Sequence, residues 1–188
     1  MLKINQTGRS MIEMLGVLAI IGVLTVGSFG IVGKARQQYQ ISQALSETSN
    51  LIASARKMSC DYESAYGSYT NMLYQSREYP DGVVPEVSDG KAESFTITSD
   101  IKLKIEAGDD NTFIATLSNI PEDACVALAS ADWGNRRFNG YIGATVGGKS
   151  SNKDNIMDPS DAADGCDATS GKEPELVLTY SACVRGGE

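Results

Sequence analysis

One run of twenty residues without a charged side chain constrains this chain more than any other feature of its 188 residues. The run covers residues 14–33 and is bounded by Glu13 and Lys34. A helix of that length, at about 1.5 Å per residue, is about 30 Å long and matches the hydrocarbon thickness of a bilayer. A cleaved secretory signal would have a shorter apolar core, followed by a small-residue cleavage site. We therefore predict a transmembrane helix over residues 14–33.

After this run, the apolar residues take the three- and four-residue spacing of an amphipathic helix. The spacing continues to Met58, and the first proline of the chain is Pro80. We therefore predict one long helix that is apolar all round in its first half and apolar on one stripe in its second half. The stripe consists of Ile41, Leu45, Thr48, Ile52 and Ala55, with Ala44, Leu51 and Met58 beside it.

The remaining residues, 59–188, are enough for one hydrophobic core. Turn signals stand at residues 80–82 and 108–111, a short helix is predicted from Pro121 to Ala129, and residues 149–172 are predicted to form a polar, Asp-rich loop. Strand-like runs cover residues 94–98, 101–106, 112–117, 141–146 and 175–180. The predicted fold class is α+β, with the long N-terminal helix packed on an antiparallel β-sheet.

Several tyrosines follow the long helix. Tyr62, Tyr66 and Tyr69 have the spacing of a short helix, and Tyr74 and Tyr79 come after them. We expect these side chains to cover the core, and an adhesive role is the alternative.

The composition excludes several classes of functional site. The absence of histidine excludes Ser-His and Cys-His catalysis and His-rich metal sites. A formal net charge of −8 gives no basic surface for nucleic acid. The four cysteines form no C-x-x-C pair, so a zinc knuckle is not expected. We therefore predict no enzymatic activity and no cofactor.

Two local patterns resemble ligand-binding motifs without having their context. Residues 143–150 fit the G-x-x-x-x-G-K-S pattern of a phosphate-binding loop, but the residues after Ser150 are polar and interrupted by proline instead of helical. We expect a loop between two elements there. The aspartates at positions 154, 158, 161, 164 and 167 lack the spacing of a calcium-binding loop and predict a solvated acidic loop.

The residues from Gly8 to Gly22, GRSMIEMLGVLAIIG, resemble the amino-terminal signature of type IV pilins and pseudopilins. That signature combines a short leader ending in glycine, a glutamate at the fifth position after the cleavage site, and an uninterrupted apolar helix. Arg9 would be the first residue of the mature chain, where the family usually has an apolar residue. The match covers about the first 35 residues, and the rest of the chain resembles the family in layout.

The resemblance implies a leader over residues 1–8, a long helix over residues 9–58 and a globular head over residues 59–188. It implies that a prepilin peptidase cuts between Gly8 and Arg9 on the cytoplasmic side of the inner membrane, often followed by methylation of the new amino terminus. The uncut protein would cross the membrane once with its head outside the cytoplasm. The inner-membrane assembly machinery would then add it to an extracellular pilus, a filament of identical subunits.

A carboxylate beside a membrane-spanning run is costly unless it finds a partner. The resemblance implies that Glu13 pairs with the amino terminus of a neighbouring subunit. Subunits in the wrong register would bury Glu13 unpaired, so this cost would select the register. The alternative is that Glu13 lies at the helix start because the helix dipole favours a negative charge there.

The family resemblance also implies a pairing of the cysteines. Cys125, in a short helix after a proline, would bond with Cys166, shortly before the last strand, as in type IVb pilins. Cys60 at the end of the long helix would then bond with Cys183 near the carboxy terminus. The alternative pairs Cys60 with Cys125 and Cys166 with Cys183. Each bond would contribute about 2–4 kcal/mol to stability.

The expected function is therefore that of a structural subunit of a type IV pilus, most similar to the type IVb group. A pseudopilin of a type II secretion system, or a minor pilin, is the alternative within the family. A binding module or enzyme of the periplasm, held by a plain signal anchor, is the alternative from a different class.

Overall fold

The computed structural model describes seven stretches of the chain, and the side chains of residues 11–33, 60, 61 and 123 are left out of that description. Four helices and seven strands lie within the described stretches. The chain divides into two compact units, with the boundary between Tyr39 and Gln40. The described stretches are residues 11–61, 68–98, 100–109, 111–134, 137–151, 156–167 and 173–182.

Helix α1 spans Met11–Asp61 and contains the predicted apolar run as helical backbone. Within the part of the chain that the structure describes, no helix is both long enough and apolar enough to cross a membrane. The side chains of residues 14–33 lie outside that part. The transmembrane segment therefore stays a prediction.

The second half of α1 buries the predicted apolar stripe. Most of the stability of such a helix comes from packing its apolar stripe against other elements, and less from intrinsic helix propensity. The helix continues three residues beyond the predicted end at Met58. Five apolar residues of the stripe and its flank are buried, namely Ala44, Leu51, Ile52, Ala55 and Met58, together with the polar Thr48, while Ile41 and Leu45 pack partly against the same core.

The head contains one seven-stranded sheet, which establishes the predicted α+β fold. Its strand order is β1-β2-β3-β4-β7-β5-β6, and each neighbouring pair is antiparallel. The strands are β1 (Val84–Ser88), β2 (Lys91–Thr96), β3 (Lys102–Ala107), β4 (Thr112–Ser118), β5 (Tyr141–Val146), β6 (Lys149–Ser150) and β7 (Leu176–Ser181). The shorter helices are α2 (Tyr69–Ser76), α3 (Glu122–Ala129) and α4 (Pro159–Cys166).

The centre of the sheet shows why its alternating sequences form strands. In β4, Phe113, Ala115 and Leu117 are buried, and the residues between them lie on the other face of the sheet. The turn between β3 and β4 is the predicted one, with Asn111 at φ 61° and the amide of Gly108 bonded to the carbonyl of Thr112. The predicted turn at Pro80 is also present, since the amide of Val83 donates to its carbonyl.

Buried aromatic rings connect α2 with the central strands. The ring centroid of Phe113 lies 5.8 Å from that of Tyr69 and 5.4 Å from that of Tyr180, on which it stacks. Tyr141 packs edge-on against Tyr180. Burial raises the pKa of Tyr141 and that of Tyr180, so both phenols stay neutral at ordinary pH. Tyr69 is buried in this core, and Tyr74 and Tyr79 are partly buried against it, so the expectation is confirmed for these three tyrosines.

The short helix predicted around Tyr62 and Tyr66 falls on residues outside the described ones. Helix α2 begins at Tyr69, because Ser68 caps it by accepting a hydrogen bond from the amide of Asn71. Tyr69 is therefore the first residue of a helix instead of the last.

Three elements differ from the sequence-based expectation. Strand β1 lies at the sheet edge, contains Pro85 and leaves Val84 and Val87 exposed, so it lacks the alternating pattern of a half-buried strand. The loop predicted over residues 149–172 is wrong in two places, because β6 occupies its start and α4 lies within it. Helix α4 forms because Asp158 caps it and Pro159 fits its first turn.

Candidate functional site

The residues of the predicted cleavage and registry sites are placed only in part. Gly8 and Arg9 lie outside the described residues, and Glu13 belongs to α1 through its backbone, with its side chain outside the described part. The cleavage between Gly8 and Arg9 and the pairing of Glu13 therefore stay predictions. The two surfaces described below belong to the head.

A disulfide joins Cys125 in α3 to Cys166 in α4, with the two Cα atoms 5.9 Å apart. Both cysteines are buried, so the bond lies beneath the surface that the two helices form. This bond rules out the pairing of Cys125 with Cys60 and of Cys166 with Cys183. The side chain of Cys60 and the whole of Cys183 lie outside the described residues, so their bond stays a prediction.

Helix α4 is held to the sheet by close contact between backbones. A Cβ atom on Gly147 would overlap the carbonyl of Gly165, and one on Gly165 would overlap the carbonyl of Val146. Ala162 is buried on the same side of the helix. Small residues are therefore required here, and they let α4 reach the end of β5.

The segment that fits the phosphate-loop pattern forms a β-hairpin. Val146 pairs with Lys149, and the two turn residues Gly147 and Gly148 both have positive φ angles, as the tight turns of hairpins require. A strand follows the glycines where a phosphate-binding loop would have a helix. The expectation of a connecting loop is therefore confirmed as a two-residue turn, and the pattern forms no phosphate site.

The acidic residues around α4 have structural roles. The carboxylate of Asp158 accepts hydrogen bonds from the amide and the hydroxyl of Ser160, and these bonds lower its pKa. The Nζ atom of Lys149 lies 3.2 Å from a carboxylate oxygen of Asp164 and 3.9 Å from one of Asp161. Among the residues that the structure describes, no group of acidic and cysteine side chains is arranged to hold a metal ion.

A groove of about 780 Å³ lies between α3 and α4, beside the disulfide. We call it the acidic groove, because its apolar side chains are bordered by three carboxylates. The six lining residues are Glu122, Val126, Ala163, Asp164, Cys166 and Asp167.

Among the described residues of the head, the loop over residues 137–140 exposes an aromatic ring, and we call it the Phe138 loop. Phe138 is 81% exposed, more than any other large apolar side chain that the structure describes, and Arg137 beside it is exposed too. The guanidinium of Arg56 donates to the carbonyl of Phe138 at 2.9 Å. The side chain of Asn139 donates to the carbonyl of Trp133 at 2.6 Å and accepts from the amide of Tyr141 at 3.2 Å.

Neither surface was predicted from the sequence. The acidic groove depends on α4, whose buried residues are small and show no apolar stripe. The Phe138 loop follows a tryptophan, and an aromatic residue in such a segment is usually expected inside the protein. The run of Arg136, Arg137 and Phe138 was a usable signal, because arginine and aromatic residues are enriched at protein–protein interfaces.

The architecture of this chain is similar to that of the crystal structure of a type IVb pilin from Salmonella typhi. The TM-score is 0.54 at 18% sequence identity, and the match covers 77% of this chain and 99% of that chain. No family model and no curated protein sequence matches this chain. At this level of identity the similarity establishes the fold: the chain has a type IV pilin-like fold, as the amino-terminal residues implied.

Proposed function

We propose that this chain is a structural pilin subunit that polymerises through its N-terminal helix into a type IV pilus filament. The observation that carries the proposal is a combination within one chain. A head with a pilin-like fold follows a helix that begins beside a prepilin-like cleavage sequence. A signal-anchored binding module would account for the apolar run, and it would account for neither the fold of the head nor Glu13.

In this proposal the prepilin peptidase removes residues 1–8 at the cytoplasmic face of the inner membrane. The mature subunit stays in that membrane before assembly, with its head outside the cytoplasm. The pilus assembly machinery then moves it into an extracellular filament, in which the apolar run of each subunit lies against those of its neighbours. The apolar side chains leave lipid for protein, so tight packing between helices and paired charges hold the subunits together.

Glu13 has a specific role in this scheme. Its carboxylate pairs with the amino group of Arg9 of an adjacent subunit, inside the apolar core of the filament. Leaving one partner of a buried ion pair alone costs about 3–5 kcal/mol, which is enough to reject a subunit in the wrong register.

A pair of variants at this position tests the proposal. Glu13→Gln keeps the size of the side chain and removes its charge, and Glu13→Asp keeps the charge. In cells that contain the export apparatus, we expect the Gln variant to be cleaved after Gly8 but to give few or no filaments by electron microscopy. The Asp variant should give more filaments than the Gln variant. Normal filament numbers with Glu13→Gln would contradict the registry role.

The composition of sheared filaments separates the alternatives within the family. A main structural subunit forms most of the filament mass, whereas a minor pilin or a pseudopilin forms a small part of it. We expect this chain to be the most abundant protein of the sheared material.

A further inference from the structure

The Phe138 loop is built to present one apolar ring at the surface. Arg56 holds its carbonyl and Asn139 ties it to Trp133, so the backbone of the loop is fixed on both sides. Because these contacts already order the loop, it would lose little further conformational entropy when a partner covers Phe138. The loop carries the positive charge of Arg137, and Arg56 lies directly beside it.

The acidic groove is complementary to the Phe138 loop, because it is concave and carries negative charge. Val126 and Ala163 give it an apolar surface above the buried Cys166, and the carboxylates of Glu122, Asp164 and Asp167 border it. The carboxylate of Asp164 already bonds to Lys149. The disulfide between α3 and α4 connects its two walls, so the groove exists before any partner arrives. An aromatic side chain with a cation beside it matches this arrangement.

Charge favours a local contact of this kind between copies of the chain. With a formal net charge of −8, two copies repel each other over most of their surfaces. A contact that places Arg137 against Glu122 is attractive where the average is repulsive. Electrostatic complementarity of this kind fixes the orientation of partners more than it adds affinity.

The two surfaces lie at opposite ends of strand β5. The Phe138 loop leads directly into Tyr141, the first residue of β5. The acidic groove is bordered by α4, which contacts the last residue of the strand, Val146, through Gly165. The five residue-to-residue steps of the strand, at about 3.3 Å each, separate the two ends by roughly 17 Å, so the loop does not lie beside the groove of its own subunit.

We infer that the Phe138 loop of each subunit docks into the acidic groove of another copy of this chain. Such a contact joins two different surfaces, and repeating it produces an open chain of subunits instead of a closed pair. The inference rests on the proposed function, because a filament is the assembly in which a contact of this kind repeats. It assigns a second contact, between heads, beyond the one between N-terminal helices.

Charge reversal on the two surfaces tests this contact in the full chain, expressed with its export apparatus. The variants are Phe138→Ala, Arg137→Glu, Glu122→Arg, and the double variant that combines the last two. Val84→Ala is the matched control, because Val84 is also an exposed apolar side chain (61%) and lies on edge strand β1. The readouts are the amount of chain in sheared filaments, the total amount of chain, and the fraction cleaved after Gly8.

We expect Phe138→Ala and each single charge reversal to reduce the filament fraction about tenfold or more, the size of effect typical of a central interface residue. Cleavage and total amount should stay as in the wild type. The double reversal should recover filaments to within about threefold of the wild type, and Val84→Ala should have no effect.

Two results would overturn the head contact alone, while the wild type still forms filaments. One is a normal filament fraction for both Phe138→Ala and Arg137→Glu. The other is a double reversal that gives no more filament than its weaker single variant. A cleaved wild type that forms no filaments would contradict the proposed function itself, and the head contact with it.

Discussion

The disulfide between Cys125 in α3 and Cys166 in α4 bridges a sequence separation of 41 residues that includes β5, β6 and the Phe138 loop. A single bond thus connects the two helices that border the acidic groove. It also lowers the conformational entropy of the intervening residues in the unfolded chain. The stability of the head and the shape of its surface therefore depend on the same pair of residues.

Removing this bond should destabilise the head strongly. A loop of this length gives a disulfide contribution of about 3–4 kcal/mol in the chain-entropy account. We expect Cys125→Ala combined with Cys166→Ala to lower the free energy of unfolding by about that amount, measured by urea denaturation of the full chain in detergent. A decrease below about 1 kcal/mol would show that native packing alone holds α3 against α4.

Two buried threonines should respond differently to the same substitution. Thr48 in α1 and Thr70 in α2 are both fully buried. Thr70 donates to the carbonyl of Ile105 and accepts from its amide, whereas the hydroxyl of Thr48 has no hydrogen-bond partner within the described part of the chain. A buried hydroxyl without a partner costs free energy, and one with partners protects the groups that it bonds.

We therefore expect Thr70→Val to lower the free energy of unfolding by about 1–3 kcal/mol. Thr48→Val, which keeps the shape and removes the hydroxyl, should leave it unchanged or raise it by up to about 1 kcal/mol. Denaturant unfolding of the two variants side by side measures the difference. Equal losses in both would contradict this assignment of hydrogen bonds.

The two turn glycines between β5 and β6 provide a second matched pair. Both have positive φ angles, 52° for Gly147 and 80° for Gly148. A Cβ on Gly148 would meet nothing within 4 Å, whereas one on Gly147 would overlap the backbone of Gly165. Gly148→Ala should therefore cost about 1 kcal/mol of backbone strain, and Gly147→Ala clearly more. Thermal unfolding midpoints measure both, and equal shifts would argue against the close approach of α4.

Glu86 should give the head an acid-sensitive contribution to stability. The bond from Lys102 at 2.9 Å, and then the bonds from Ser94 and Thr96, hold the pKa of this carboxyl below its usual range. A lowered pKa in the folded state stabilises the protein above the ordinary carboxyl pKa, and this stabilisation is lost as the pH falls through the lower value. The group is solvent-accessible, so the effect is small.

Comparing the wild type with Glu86→Gln tests this contribution. We expect the variant to be less stable than the wild type at pH 7 and to approach it as the pH falls below about 4. Lys102→Met should reduce the same pH dependence, because it removes the largest cause of the lowered pKa. Urea midpoints across this range measure it, and a constant difference between wild type and variant would exclude titration of Glu86 as its source.

Sequence reasoning succeeded where one physical rule governs an element. Burial of one face with helical period identified the stripe of α1, and alternation with a four-residue turn identified β3 and β4. It failed for β1, an edge strand with exposed valines and a proline. It failed for α4, whose position depends on glycine contacts and a disulfide, because neither leaves a hydrophobic pattern in the sequence.

The surfaces of the head were harder to predict than its core for the same reason. Burial selects apolar side chains at regular intervals, whereas an exposed ring such as Phe138 depends on how Arg56 and Asn139 hold its loop. These residues are far apart in sequence or polar, so only the folded chain brings the groups together.

The central claim is that the amino-terminal segment is processed and then joins subunits in a filament. The most direct measurement is the intact mass of this protein in fibres sheared from cells that contain its export apparatus. The account predicts that the chain is the main component of those fibres and begins at Arg9. A surface protein that retains residues 1–8 and is absent from any fibre would contradict it.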